Sequence, residues 1–270
     1  MSDYIRQHAV KIDYKLGESW IILNEIEQSI KKKIEAVGTP LKDWNISINY
    51  GIKTGLNEAF IISKEKRDEL IEADPKSAEI IRPILRGRDI EKNKINFQDI
   101  YIINSHNGYI SEDGIKIPPI NISDYPAIKN WLDNGEWNTK PEKGSNYERL
   151  AKRTDKGITP YNLRSLAYMD DFNRQKIVFS RISGDTPSFA MDEKKLLTND
   201  TGYIITGNNL DYLLQQLTNP IIWFSFKKFY MGGGVEKEFK VNNLFNLPIP
   251  FVGKKIEITS IEERYIKDLI

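Results

Sequence analysis

Lys53, Thr54 and Asn57 lie in the run Gly51-Ile-Lys-Thr-Gly-Leu-Asn-Glu-Ala-Phe60, and Arg86 and Arg88 flank the glycine of Arg82-Pro-Ile-Leu-Arg-Gly-Arg-Asp89. These side chain types suit phosphates and base edges, where Arg pairs with guanine and Asn with adenine while phosphate contacts fix register. Gly51, Gly55 and Gly87 permit positive φ or close backbone approach to a partner. By residue type alone, the same segments also fit strand–loop–helix corners whose polar residues only cap and solvate. A third group follows in Thr159-Pro-Tyr-Asn-Leu-Arg164, where turn chemistry at Pro160 is expected to present Tyr161, Asn162 and Arg164 together. That loop is the best candidate for reading bases. Arg149, Arg153, Lys156 and Arg181 complete the candidate contact set, while Arg82 fits a structural role equally well. Any single arginine can instead be spent on a carboxylate, since charged residues make up 29% of the chain.

Composition narrows the classes of function. Cysteine is absent, which excludes disulfides, thiolate catalysis and cysteine-ligated zinc, and only His8 and His106 supply imidazole, too few for a histidine-built metal site. No metal is expected. The most apolar stretch, Ile221-Ile-Trp-Phe-Ser-Phe226, is too short to span a bilayer, and the N-terminus carries no signal-peptide core, so a soluble cytoplasmic protein without a membrane partner is expected. Net charge is only +1, unlike an indiscriminate polyanion binder. Yet between Lys140 and Arg181 ten basic residues face five acidic ones, a local net of +5 that would suit a phosphate backbone.

The elements that must hold these residues can be placed from periodicity. Leu23, Ile26, Ile30, Ile34 and Val37 recur at helical steps, predicting an amphipathic helix over 18–37 with Lys31-Lys-Lys33 on its solvated face. Trp44–Tyr50 alternates and predicts a strand entering the Gly51 loop, with Ala59–Ile62 as its partner. Ser63 is expected to cap a charged helix ended by Asp74-Pro75. Strands are predicted at 100–103, 175–182, 188–191 and 202–206, and a helix from Tyr125 with Pro126 in its first turn, before a mobile loop over 133–145. Asn208 or Asn209 would cap a helix to Leu217, and Asn219-Pro220 would open another ending near Gly232-Gly-Gly234. A last helix, 260–270, has two possible capping boxes, Thr259 with Glu262 or Ser260 with Glu263, and stops without a terminator, which suggests a cut boundary. Trp20, Trp44, Trp131 and Trp223 fall on apolar positions and read as core; Trp137, in the polar loop, is the one indole expected to be exposed. The whole reads as an irregular α+β body with a mixed sheet and helices at its ends. Its expected domains are a spacer helix region at 1–40, a recognition domain at 41–250 and a helix at 251–270 packing on the spacer.

The order of these motifs resembles the TaqI-like C-terminal specificity domain, the target recognition domain of Eco57I-type and related restriction-modification methyltransferases. The resemblance rests on the Trp44–Phe60 run, the Ile81–Ile90 block, Lys176-Ile-Val-Phe, Phe189-Ala-Met-Asp192 and Asn246-Leu-Pro-Ile-Pro250, and it spans roughly residues 18–270. It implies recognition of double-stranded DNA, positioning a target adenine for a methyltransferase domain in the same polypeptide. That domain would carry an Asn-Pro-Pro-Tyr motif and bind S-adenosylmethionine. Neither feature stands in this sequence, so no catalysis and no cofactor are expected of this chain alone. The one glycine cluster, Gly232-Gly-Gly234, has no preceding strand or acidic ribose ligand and fails as a cofactor loop. One departure from the family pattern is Glu91-Lys-Asn93, where relatives carry a basic-aromatic pair.

Two other classes compete. Asp185 with Glu193-Lys194-Lys195 mimics the Asp…Glu-x-Lys arrangement of metal-dependent nucleases, in which carboxylates hold a divalent ion. The terminal amphipathic helices could instead dock on a protein partner, because such helices need packing to be stable.

Overall fold

The computed structural model describes residues 23–182, 184–231 and 241–269, which form helices and mixed sheets in an α+β arrangement. Chain contacts divide the protein into two units, one of residues 47–181 and 188–206, the other of residues 1–46, 182–187 and 207–270.

The first unit is built on two four-stranded sheets. In one the strands run in the order Phe189–Asp192, Lys176–Ser180, Gly202–Gly207, Ile46–Tyr50. All five residues of Lys176–Ser180 are buried, because a strand covered on both faces needs a continuous apolar run rather than alternation. Phe179 stands opposite Phe189 and Tyr203, and its ring stacks on theirs at 5.0 and 5.1 Å. The other sheet runs Leu197–Thr198, Ile81–Leu85, Ile100–Ile103, Ile61–Ser63, with the first pair parallel and the others antiparallel.

The expected pairing of residues 59–62 with the strand before the Gly51 loop does not form. Asn57–Phe60 makes a helical turn that buries Ala59 and Phe60, and the chain emerges with Ile61 opposite Ile102 instead. Ser63 does cap the helix Lys64–Ala73, accepting from the Lys66 N–H at 3.3 Å, and Asp74 ends it. Pro126 opens the helix Pro126–Asn134, which buries Ile128 and Leu132. The polar stretch after it is no free loop. Trp137 is only 5% exposed and its indole N–H donates to the carbonyls of Trp131 and Leu132, so the segment folds back over its own helix. The expectation of an exposed Trp137 fails for this reason: composition marked a turn-rich segment but not that its one large ring would anchor it. A further helix, Asn146–Lys152, begins at a Ser145–Glu148 capping box and was too short for periodicity to reveal.

In the second unit Asn24 and Glu27 form the capping box of the helix Glu25–Val37; residues 18–22 of the predicted helix, with Trp20, lie outside the described residues. Of the two boxes expected near the C-terminus, Thr259 with Glu262 starts the helix Ser260–Lys267. Each box glutamate also reaches the other helix. Tyr265 Oη donates to Glu27 at 2.8 Å, while Ser29 Oγ and Lys33 Nζ donate to Glu262 at 2.7 Å each. Burial opposes the Glu262 charge, but these bonds and the Thr259 backbone hold its carboxyl down at about 2. Leu23, Ile30, Ile34, Phe224, Phe229 and Ile266 form the apolar core around this latch. The helix Leu210–Leu217 starts at Asn209 in the left-handed region, φ 55°, without a side-chain cap, and Pro220–Ser225 continues into one π turn, Phe226–Tyr230. No described helix is long and apolar enough to cross a membrane. The glycines at 232–234 lie outside the described residues.

Candidate nucleic-acid interface

All twelve candidate contact residues belong to the first unit, and two of its glycine corners close on a single turn at 199–202. The Gly51 N–H donates to the Gly202 carbonyl at 2.9 Å and the Ile52 N–H to Thr198 at 2.7 Å. A Cβ at Gly51 would sit 2.0 Å from the Asn199 carbonyl oxygen, so no other residue fits unless the turn moves. At the second corner, Gly87 N–H donates to Thr201 Oγ1 at 2.8 Å, and a Cβ there would lie 2.2 Å from the Thr201 carbonyl oxygen. Thr201 Oγ1 in turn donates to Asn199 Oδ1 at 2.6 Å, and the Arg181 N–H donates to the Thr201 carbonyl at 2.8 Å. Close approach at Gly51 and Gly87 is therefore to the chain's own backbone; only Gly55 of the three takes positive φ, 65°. The turn at 199–202 is not among the elements expected from the sequence, although Asn-Asp-Thr-Gly is turn composition.

The first corner is tied to the 160–162 segment by a buried guanidinium. Arg153 is 4% exposed and donates to the carbonyls of Thr54, Pro160 (2.8 Å), Asn162 (2.9 Å) and Leu150 (3.3 Å), with its Cζ 4.3 Å from the Phe60 ring centroid. Burial lowers its pKa to about 10, with Asp155 opposing the shift. It is thus an internal strut and not a phosphate contact. Thr54 and Asn162 are corrected likewise. Thr54 Oγ1 donates to Asn57 Oδ1 at 2.5 Å and accepts from the Leu56 N–H; Asn162 Nδ2 donates to the Ile120 carbonyl at 2.8 Å and its Oδ1 accepts from Thr159 at 2.6 Å. Tyr161 spends its hydroxyl on Asp133 at 2.7 Å, and burial together with that bond raises its pKa. The turn at Pro160 exists, but Asn162 and the Tyr161 hydroxyl serve the turn itself and its neighbours, the competition short polar side chains offer to backbone partners.

What faces solvent is a smaller set. Arg88, Asn57, Lys156 and Arg164 are exposed; Lys53, Arg86, Arg149 and Arg181 are half-buried. Lys53 Nζ lies 5.3 Å from the centroid of the Tyr50 ring, itself edge-on to Tyr168. Arg86 is gripped by Asp89 through Nε at 3.0 Å and Nη2 at 2.9 Å. Arg149 is held by Asn138 at 2.6 Å over Trp137 and stands 3.5 Å from Glu58. Lys156 Nζ donates to the Ala151 carbonyl at 2.7 Å, and Arg164 meets Asp155 at 3.2 Å. The local net of +5 overstates the surface charge, because Lys176 is fully buried, 2.5 Å from Asp192 and 3.0 Å from the Phe172 carbonyl. Burial pushes the Lys176 ammonium pKa down, and Asp192 opposes that. The Asp192 carboxylate also accepts from the N–H groups of Lys194 and Leu196, so beside the Glu193-Lys-Lys195 nuclease mimic it is spent on structure. Among the described residues no three His, Asp or Glu side chains gather as a metal-holding group.

The arrangement of two glycine corners, a shared turn and outward cations coincides with a family match. Residues 82–249, more than half of the chain, match the TaqI-like C-terminal specificity domain. The chain belongs to that family. The matched span holds the Gly87 corner, the Arg153 strut and the 199–202 turn, and it begins after the Gly51 corner, later than the motif order suggested. No curated protein matches the chain. Among solved structures it is similar, at 13% identity in each case, to the type IIL restriction-modification enzyme MmeI in complex with DNA (TM-score 0.49, 77% of this chain and 25% of that one) and to the type IIG restriction endonuclease BpuSI (TM-score 0.47, 91% and 28%). This chain therefore spans about a quarter of the length of each.

Proposed function

We propose that this chain recognises a specific double-stranded DNA sequence and positions a target adenine for an S-adenosylmethionine-dependent methyltransferase domain of the same polypeptide. It supplies sequence reading and no chemistry of its own, so it needs no cofactor. One observation carries the reading: in a member of a specificity-domain family, both glycine corners lock on one turn, and Lys53 and Arg88 lie within two residues of the corner glycines. Arg88 and Arg164 are the side chains assigned to bases, because both are exposed and a guanidinium reads guanine bidentately. Lys53 and Lys156 are assigned to phosphates, which fix register without reading sequence.

Arg88→Ala and Arg164→Ala, each measured against duplexes selected from a randomised pool, test the assignment. A base reader should lose about 1–3 kcal/mol of discrimination at one position. Equal weakening on every sequence would reassign that residue to phosphate, and no change in either variant would remove both from the interface.

A further inference from the structure

The segment from Lys156 to Leu163 is closed by an antiparallel bridge between those two residues and by the Gly157 N–H donating to the Asn162 carbonyl at 2.9 Å. Its polar groups are turned inward. Arg153 takes the carbonyls of Pro160 and Asn162, Ser105 Oγ donates to that of Tyr161 at 2.6 Å, and Thr159 and Asn162 bond to each other. At the tip, the Ile158 N–H donates to Asn107 Oδ1 at 2.8 Å, and a Cβ on Gly157 would lie 2.3 Å from that same oxygen. The Ile158 side chain is left 73% exposed, the highest value among the exposed large hydrophobics of the described residues.

A single exposed isoleucine ordinarily calls for no explanation. Here three features combine. The residue's own backbone is fixed, its β-branched side chain has little rotamer freedom to lose, and exposed cations, Lys156 and Arg164, lie on either side of it in sequence. A preordered contact costs little entropy on binding. With Asn162 and the Tyr161 hydroxyl consumed internally, the tip presents an aliphatic side chain instead of hydrogen-bonding ones. The base-edge feature suited to it is the C5-methyl of thymine in the major groove.

We infer that Ile158 is a specificity-determining residue that packs against a thymine methyl group in the recognised duplex. This rests on the DNA-recognition reading above and adds one base to it. The test selects duplexes from a randomised pool with the protein and with Ile158→Ala, then replaces each required thymine by deoxyuridine, which removes only the methyl. One thymine should be required by the unsubstituted protein. Deoxyuridine there should weaken its binding about fourfold, the worth of one buried methyl group, and leave Ile158→Ala binding unchanged. Ile158→Val, which keeps the branch, should retain the requirement, and thermal unfolding of both variants should match that of the unsubstituted protein. A selected sequence without a required thymine, or equal deoxyuridine sensitivity with and without Ile158, overturns the inference alone. Failure of the unsubstituted protein to select any sequence would defeat the DNA-recognition reading and this inference with it.

Discussion

At the scale of single residues, burial decides what an arginine is for. Arg153, Arg164 and Arg88 are the same residue type in comparable polar surroundings of sequence, yet Arg153 spends its guanidinium on backbone carbonyls while the other two reach solvent. Nothing in the sequence separates them, since the Thr54 carbonyl that Arg153 binds is 99 positions away and only the fold brings it to the 150–162 segment. The same holds for Lys176, whose role follows from a partner sixteen positions away. Arg153→Lys should be costly even though charge is kept, because an ammonium lacks the planar fork that serves several carbonyls at once. A loss of about 3 kcal/mol in urea unfolding is expected for an incompletely satisfied buried charge. A loss within about 0.5 kcal/mol, typical of a surface substitution, would return Arg153 to the contact set.

At the scale of elements, local signals read well and long-range pairings did not. Ser63, Pro126 and the Thr259–Glu262 box mark helix starts because each satisfies free N–H groups, or dispenses with one, within a few residues. The strand at 176–180 and its two neighbours were legible from apolar runs bounded by turn residues. The partner of residues 61–63 was not, since one helical turn re-aimed the chain, and the parallel pairing of 197–198 with 84–85 has no sequence signature at all. The glycine corners were visible, but their target, the 199–202 turn, lies more than a hundred residues away. Gly51→Ala and Gly87→Ala should each cost about 2 kcal/mol through forced displacement of that turn. Gly184→Ala is the control: its Cβ would meet nothing closer than 3.9 Å, and the change should stay within about 0.5 kcal/mol. Equal stability of all three variants would show that the corners are not packed against the turn.

At the scale of the whole molecule, a net charge of +1 and a modest outward cation set describe a protein that gains selectivity from placement more than from charge. Paired arginines such as Arg86 with Asp89 add rigidity to the corner without adding free charge. If Lys53 and Lys156 engage a DNA backbone while Arg88 and Arg164 read bases, duplex affinity must depend on salt. About two phosphate contacts predict that log affinity falls linearly with log salt, losing about tenfold between about 50 and 200 mM. Affinity that is absent, or that stays flat across that range, would contradict the account.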